Sequence, residues 1–443
     1  MHHASCGPIG LTSSSFRPRC WFFLLIALLA TLNCACNGDD DGLTIPPITP
    51  TDTANRTVLI YMAAQNSLGS GGWQQKDSVE IMLGRQFVAS TNRLLVFIDD
   101  AKAPRLYRVI KEWPQPVLVR SWDTDVNSTS PEVLSDVLRW TRTNFPAREY
   151  GLVMWSHADG WIPATDKDYT SNTRRRGIQP YSFGIDDGSR MGTDTGTQMD
   201  VDDMAAAITA AQVHLRFLFF DACLMQNIEV AYALKDVTDY LIASPISTPA
   251  AGSNYTHQLR DAFFDTDPTN IVTTYYADVT DKTQQSSYAD YGIVVSAIRT
   301  DRLDALAEAF SEALPISALA GRTSPNMDGV LNYQAYSWNY FYRPHNYDAA
   351  EAVRRLFPEN AQPRLLQAIN DAVVRKAATT EFWIGPGYSS YKTVPTDSYC
   401  GVSMFVPQTA YTLNAGACPH GDHNANFTAT RWYAAAGWAQ TGW

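Results

Sequence analysis

An α/β domain with a mostly parallel central sheet is the fold class that the sequence predicts. From Arg56 onward, short runs of β-branched and aromatic residues alternate with longer segments of helical periodicity, which is the pattern of a parallel sheet covered by helices. Apolar residues make up 45% of the 443 residues and charged residues 18%, so the chain can bury a large core. Two predicted strands also end in reactive polar residues, at the edge where open parallel sheets bind their ligands.

The individual strands and helices follow from the period of the apolar residues and from the turn residues between them. The predicted strands cover residues 57–62, 94–98, 107–110, 117–121, 151–155, 215–220, 240–243, 292–297 and 402–406. The predicted helices cover residues 74–88, 131–144, 201–211, 226–234, 269–282, 301–314 and 364–377. Two helices have N-terminal signals, because Ser130 precedes Pro131 and Asp200 precedes Val201, and short polar side chains cap helices well.

The first 35 residues are predicted to be an export signal rather than part of the fold. Arg17 and Arg19 precede an apolar run over residues 21–32, which is shorter than the roughly 20 residues that cross a membrane as a helix. The end of this segment, at Cys36, resembles the cleavage site of a bacterial lipoprotein, in which Cys36 becomes the lipidated first residue. Cys34 is the alternative acceptor, and an ordinary secretory signal with incidental cysteines is the alternative interpretation.

The predicted domain boundaries follow from this signal. Residues 1–35 form the lipoprotein signal peptide, residues 36–55 a flexible acidic and Pro/Thr-rich tether, and residues 56–443 the folded domain. Within that domain we expect a core over about 56–300 and a C-terminal extension of the same unit over about 301–443. The chain would then be an exported bacterial lipoprotein at the outer membrane or cell surface, with the membrane as a partner through an N-terminal lipid anchor.

The charge balance excludes one class of partner. The chain has 34 Lys and Arg against 45 Asp and Glu, a net charge of −11, and no basic stripe. Because nucleic-acid binding needs clustered cations to neutralise phosphates, we expect no nucleic-acid partner.

Candidate catalytic residues follow two of the predicted strands. His157 comes two residues after the strand 151–155, and Cys223 follows the strand 215–220 closely. Both would therefore lie at the carboxyl edge of the sheet, where a thiolate nucleophile and an imidazole can act together. The helix predicted from residue 226 would lower the pKa of Cys223 further. The alternative is that Cys223 is a small buried hydrophobic residue and that His157 is a loop histidine whose hydrogen bonds are made within the fold. The position of both residues at strand ends favours catalysis.

Four segments together resemble the clostripain family of cysteine peptidases, in order from about Arg56 to the carboxyl terminus. They are residues 59–64, 154–161, 220–225 and 401–407, which include the motifs Ser156-His157 and Asp221-Ala222-Cys223. The resemblance implies a caspase-like αβα sandwich with C-terminal additions, related to gingipains and legumain. It also implies a polypeptide substrate, attacked at its scissile carbonyl by Cys223, while His157 protonates the leaving amine. The backbone N–H groups of Ala158 and Cys223 are implied to stabilise the oxyanion, and this chemistry requires no cofactor.

Specificity for Arg, and often Lys, before the cleaved bond is a further implication of the resemblance. Asp221 is implied to line the pocket that takes this cationic side chain. The alternative role for Asp221 is to cap the following helix or to order the end of the strand. Since residues 244–252 contain no second acid, Arg specificity is a weaker expectation than peptidase activity.

Two positions depart from the family pattern. Ala158 stands where members usually have glycine after the catalytic histidine, and a positive φ would be costly there. Gln65 stands where an aspartate usually precedes Asn66. These departures leave open an alternative function, in which a catalytically weak or inactive surface lipoprotein serves as a binding module.

A polar loop over residues 166–176 follows His157 and contains Arg174, Arg175 and Arg176. Because family members are activated by cleavage in this region, the resemblance suggests self-processing after these arginines. The alternative is a solvated basic loop.

Two further groups of residues are weaker candidates. Asp186, Asp187, Asp194 and Asp200 offer oxygen ligands and make calcium a candidate cofactor, although their spacing matches no EF-hand loop. Cys400 and Cys418 are candidates for a disulfide in an exported chain.

Overall fold

The structure is a computed structural model that describes residues 50–165, 182–281, 291–333, 346–383, 391–413 and 422–443. The strands of these residues are β1 (Ala54–Ala63), β2 (Arg93–Asp99), β3 (Arg105–Val109), β4 (Val117–Ser121), β5 (Ala147–Trp155), β6 (Phe183–Asp186), β7 (Thr197–Met199), β8 (Leu215–Asp221), β9 (Tyr240–Ala243), β10 (Val294–Arg299), β11 (Tyr347–Asp348), β12 (Val373–Ala378), β13 (Glu381–Trp383), β14 (Tyr391–Thr393) and β15 (Ser403–Met404).

The helices of the same residues are α1 (Ser67–Ser70), α2 (Trp73–Gly84), α3 (Pro131–Asn144), α4 (Val201–Ala210), α5 (Ile228–Leu234), α6 (Tyr255–Asp261), α7 (Asn270–Thr280), α8 (Leu303–Ala313), α9 (Ala349–Leu356), α10 (Gln362–Ala372), α11 (His423–Thr428) and α12 (Arg431–Ala435). None of these helices has the length and apolar character needed to cross a membrane.

A nine-stranded sheet in the order β12-β10-β9-β8-β5-β1-β2-β3-β4 forms the centre of the fold. The run from β9 through β8, β5 and β1 to β2 is parallel, and the strands outside this run pair in antiparallel fashion. The predicted mostly parallel α/β architecture is therefore confirmed. Both faces of a parallel sheet are usually packed against helices.

Alternate residues of β1 point into two separate cores. Leu59 and Tyr61 pack with helices α3, α4, α5, α8, α9 and α10 on one face. Val58 and Ile60 pack with α2, α6 and α7 on the other, because successive side chains of a strand point to opposite faces. The result is an αβα sandwich, with the segment after β10 contributing to the first core through residues such as Trp432.

Helix α3 has the predicted bounds, and its start is explained by its cap. The Ser130 side chain accepts hydrogen bonds from the amides of Glu132 and Val133, and Pro131 occupies the first turn. The predicted cap at Asp200 is wrong, because its carboxylate makes no capping bond to α4. It accepts instead from the amide of Ala164 at 2.9 Å and from the hydroxyl of Ser182 at 2.6 Å.

Two predicted helices are also corrected by the structure. The helix predicted over residues 364–377 ends at Ala372, and the following residues form β12, which pairs with β10 at the edge of the main sheet. The helix predicted from residue 226 begins at Ile228, so that Cys223 lies in the loop before it.

Candidate active site

The register of β5 and β8 places the two predicted catalytic residues at equivalent positions. These neighbouring strands are parallel, and Trp155 at the end of β5 lies opposite Asp221 at the end of β8. His157 and Cys223 each follow two residues later. Adjacent strands are about 4.8 Å apart, so the fold brings the two loops together at the carboxyl edge of the sheet.

Contact between the two loops is direct at Gly160. This residue has φ +88°, and a Cβ atom added to it would lie 2.4 Å from Asn227 Oδ1 and 3.1 Å from the carbonyl oxygen of Leu224. Only glycine fits such a close approach in a left-handed conformation. The loop after His157 is thereby packed onto the loop after Cys223.

The His157 side chain is buried and anchored through Nε2. That atom lies 2.9 Å from Ser67 Oγ and 3.8 Å from Asp194 Oδ1. Ser67 opens α1, four residues after the end of β1, and Asp194 lies in the turn between β6 and β7. Burial lowers the pKa of His157, while the negative charges of Asp194 and Asp187 act in the opposite direction.

The Cys223 thiol is also buried, with 7% of the residue exposed. The amide of Thr248 donates to Cys223 Sγ at 3.3 Å, and the Thr248 hydroxyl oxygen lies 3.6 Å from the sulfur. Burial raises the pKa of Cys223, and the hydrogen bonds from Thr248 oppose this rise. Helix α5 starts five residues after Cys223, and desolvation is the largest influence on the pKa of the thiol. The lowering of this pKa by the helix dipole stays a prediction.

His157 and Cys223 have different hydrogen-bond partners in this structure. Within the described residues the ring is bonded to Ser67 and the sulfur to Thr248, and no hydrogen bond joins the two side chains. Catalytic hydrogen bonds are often long before substrate binds. The arrangement therefore resembles a resting state in which both groups are held at the site by neighbouring residues.

The two backbone amides predicted to bind the oxyanion have no acceptor among the described residues. Ala158 forms a bridge with Phe183 that is flanked by hydrogen bonds of 3.0 Å and 2.8 Å between the neighbouring residues. In a pair of this kind the residue's own amide points away from the partner strand. Ala158 adopts a negative φ, so its replacement of glycine introduces no strain. The Cys223 amide precedes a turn in which Leu224 has φ +59°.

Asp221 lies beneath the nucleophile loop and is 5% exposed. Its carboxylate accepts hydrogen bonds from the Tyr255 hydroxyl at 2.9 Å and from the Ser253 amide at 3.2 Å. Burial raises the pKa of Asp221 to about 7, against the effect of these two donors. Gly252 covers the carboxylate so closely that an added Cβ would lie 2.7 Å from Asp221 Oδ2.

Acids that were absent from residues 244–252 are supplied by other elements. Glu80 of α2 accepts from the amide of Tyr255 at 2.9 Å, and Asp278 of α7 accepts from the amide of Asn254 at 3.3 Å. Both carboxylates act electrostatically on Asp221. The surroundings of Asp221 are thus more acidic than the local sequence indicated.

Gln65, the second departure from the family pattern, is held by acidic partners. Its amide nitrogen donates to Asp99 Oδ1 at 3.1 Å and to Asp125 Oδ1 at 2.5 Å. The neighbouring Asn66 donates to Ser156 Oγ at 3.1 Å, which links the end of β1 to the residue before His157. The departure at Gln65 therefore leaves the strand end well ordered.

The acids considered for calcium are engaged with protein donors. Asp186 accepts from the amide of Ser128 at 2.5 Å, and Asp187 accepts from three successive amides in the turn after β6. No group of three or more metal-ligating side chains was found among the described residues.

The remaining predicted residues are largely beyond what the structure describes. Arg174, Arg175, Arg176, Cys36, Cys34 and Cys418 all lie outside the described residues. Cys400 is a buried free thiol, 3.2 Å from Asp348 Oδ2. Its pairing with Cys418 stays a prediction, because the position of Cys418 is not described.

Three contacts of the site were not predicted by the sequence analysis: those of Ser67 and Asp194 with His157, and that of Thr248 with Cys223. Asp194 had been considered only as a calcium ligand. A signal existed for Ser67, since it follows the end of β1, and β1 lies next to β5 with its carboxyl end at the same edge of the sheet. Thr248 and Asp194 lie on irregular segments, for which periodicity gives no position.

A cysteine and a histidine at adjacent strand ends of an αβα sandwich are the arrangement of a cysteine peptidase of the caspase-like class. The clostripain family model matches residues 60–354. The chain belongs to the clostripain family and is a cysteine peptidase. Enzymes of this family need no cofactor for the chemistry. No curated protein sequence matches the chain.

Solved structures of related peptidases resemble the chain over most of its length. A secreted C11 cysteine protease from Bacteroides thetaiotaomicron, in complex with an irreversible peptide inhibitor, is 25% identical, with a TM-score of 0.70 over 87% of this chain and 99% of its own. An inactive zymogen C11 protease from Parabacteroides distasonis is 26% identical, with a TM-score of 0.68 over 87% of this chain and 99% of its own.

Proposed function

We propose that the protein is a cell-envelope endopeptidase that cleaves polypeptides through a Cys223–His157 dyad, after Arg or Lys. The observation that carries this proposal is the equivalent placement of the two residues beyond neighbouring parallel strands. The family and the peptide-inhibitor complex of a related protease support a polypeptide substrate.

In the proposed reaction, the Cys223 thiolate attacks the scissile carbonyl carbon and forms a C–S bond. The amides of Ala158 and Cys223 donate to the resulting oxyanion. The C–N bond breaks as His157 gives its proton to the departing amine. Water, deprotonated by His157, then hydrolyses the thioester and restores the thiol.

The proposed specificity rests on Asp221 and the acids around it. An ionised carboxylate within a poorly solvated pocket would pair with an Arg or Lys side chain of the substrate. Because Gly252 and Ser253 enclose Asp221 in the free protein, the stretch that contains them must shift when the cation enters.

The activity is tested with the full-length protein and fluorogenic peptides that end in Arg, in Lys or in a neutral residue. We expect cleavage after Arg or Lys that a thiol alkylator abolishes and that is independent of added calcium. Absence of thiol-sensitive cleavage across a broad peptide library would overturn the proposal and favour the binding-module alternative.

Self-processing after Arg174, Arg175 or Arg176 is part of the proposal, and the zymogen relative supports it. On a denaturing gel, the wild type should separate into two fragments, whereas Cys223→Ala should remain one band. A variant with all three arginines changed to Gln should also remain intact while keeping its thiol. Cleavage that persists in purified Cys223→Ala protein would contradict self-processing.

Export and lipid anchoring through Cys36 form the last part of the proposal, and the secreted relative supports export. Cells that express the protein with a labelled fatty acid should label the wild type and the Cys34→Ser control. Cys36→Ser should lose the label. Equal labelling of Cys36→Ser would contradict Cys36 as the lipid acceptor.

A further inference from the structure

The surroundings of the His157 ring contain an ordered set of contacts that the proposed dyad does not account for. His157 Nε2 lies 2.9 Å from Ser67 Oγ and 3.8 Å from Asp194 Oδ1. The same Asp194 Oδ1 atom accepts a hydrogen bond from the Ser67 amide at 2.8 Å. Ser67 and Asp194 are therefore linked to each other and to one ring nitrogen.

The backbone at Asp194 turns sharply. Its φ of +51° lies in the left-handed region, which aspartate and asparagine adopt more readily than other residues that have a side chain. The Asp187 carboxylate holds the turn by accepting from the amides of Thr193, Asp194 and Thr195, each at 2.8 Å. These hydrogen bonds fix the path of the turn, and with it the position from which the Asp194 side chain reaches His157.

The turn is also tied to the end of β1. The Asp187 amide donates to the carbonyl oxygen of Gln65 at 2.8 Å, two residues before Ser67. Asn66, between them, donates to the carbonyl oxygen of Ile185 at 3.1 Å. Three elements are thus joined around the ring: the end of β1, the loop after β5 and the turn after β6.

We propose that Ser67 and Asp194 are positioning residues for the catalytic imidazole, held in place by Asp187. This inference rests on the proposed dyad and deepens it. The Nε2–H group donates to Ser67 Oγ, and the Asp194 carboxylate stabilises the positive charge of the imidazolium. Nδ1, which has no hydrogen bond among the described residues, is then the atom that exchanges a proton with the thiol and the leaving amine.

The electrostatics of the site agree with this geometry. Burial lowers the pKa of His157, and the opposing negative charges are those of Asp194 and Asp187. The carboxylates that act on the Cys223 thiol are a different pair, Asp159 and Asp221. Removal of the Asp194 charge should therefore lower the pKa of His157 while the charges around Cys223 stay in place.

The test uses Asp194→Asn, because asparagine tolerates a left-handed conformation and can keep the amide contact to Ser67. In full-length protein labelled at its 8 histidines, NMR titration should show a lower pKa for His157, whose signal is identified by its loss in His157→Gln. Ser67→Ala should change the tautomer ratio of the ring, and Ser67→Thr should restore it. Asp371→Asn, at an exposed position on α10, is the matched control.

The kinetic consequence in Asp194→Asn is a shift of the alkaline limb of the kcat/KM profile to lower pH. At pH values on that limb, kcat/KM should fall about tenfold if the pKa of His157 decreases by one unit. An unchanged His157 pKa in Asp194→Asn, together with an unchanged tautomer in Ser67→Ala, would overturn the inference. Because the NMR measurement needs no turnover, an inactive wild type would count against the proposed function alone.

Discussion

Trp155 lies opposite Asp221 in the parallel pairing of β5 and β8. Each is the last residue of its strand, and each is followed two residues later by a proposed catalytic side chain. The alignment places His157 and Cys223 at equivalent positions beyond adjacent strands although 66 positions separate them in sequence. The site is therefore a property of strand order and register, and changes that disturb the packing of the two loops should disturb catalysis.

Gly160→Ala should destabilise the protein and reduce activity, because the added Cβ would lie 2.4 Å from Asn227 Oδ1 at φ +88°. Gly329→Ala is the matched control, since Gly329 has φ +80° with no atom within 4 Å of an added Cβ. Both changes cost about 1 kcal/mol for the left-handed backbone, and the clash at 160 should add about 2 kcal/mol. Urea unfolding measures the difference, and equal losses in the two variants would contradict close packing of the loops.

Selectivity for a cationic residue should increase with pH. Because burial raises the pKa of Asp221 to about 7, its carboxyl is mostly neutral below that pH and mostly ionised above it. The ratio of kcat/KM for an Arg-ended peptide to that for a neutral peptide should rise through about pH 7, and the ratio cancels the pH dependence of the dyad. Asp221→Asn should lower the ratio and make it constant. A pH-independent ratio in the wild type would indicate a purely structural Asp221.

Stability should fall as pH rises from about 5 to about 7 and then level off. Glu229 is fully buried, accepts from the Phe405 amide at 2.8 Å, and has its pKa raised by burial from 4.5 to about 7. Between these values the folded state binds more protons than the unfolded state, so the free energy of unfolding decreases with increasing pH. Glu80 and Asp221, with pKa values also raised to about 7, act in the same direction.

The variant Glu229→Gln should reduce this slope by up to about 1 kcal/mol per pH unit, as measured by urea unfolding between pH 5 and about 8. Glu308→Gln, at an exposed position of α8, is the control and should leave the slope unchanged. A wild-type stability that increases with pH over this range would contradict the protonated state assigned to the buried Glu229.

Local signals predicted the parts of the fold that local interactions determine. Helix α3 has the predicted bounds because Ser130 and Pro131 specify its start. The end of α10 could not be predicted, because Val373 and its successors are drawn into β12 by pairing with β10 at the sheet edge. Asp200 shows the same limit, since partners distant in sequence take up the carboxylate that was expected to cap α4.

The site was predictable where it depends on strand ends and unpredictable where it depends on turns. His157 and Cys223 follow buried strands, so their placement at one edge of the sheet could be inferred from the rule for parallel sheets. Asp194 and Thr248 reach them from irregular segments whose paths are set by contacts such as the Asp187 carboxylate on the amides of residues 193–195. No period in the sequence specifies such a path.

The central claim, that Cys223 is the nucleophile, is tested most directly by covalent labelling. The full-length protein is treated with an irreversible, thiol-reactive peptide that ends in Arg, and the modified residue is identified by mass spectrometry. We expect the label on Cys223, no cleavage or labelling in Cys223→Ala, and undiminished labelling in Cys400→Ala, the control at the buried free thiol. Cleavage that survives in Cys223→Ala, or a label at another residue, would contradict the assignment.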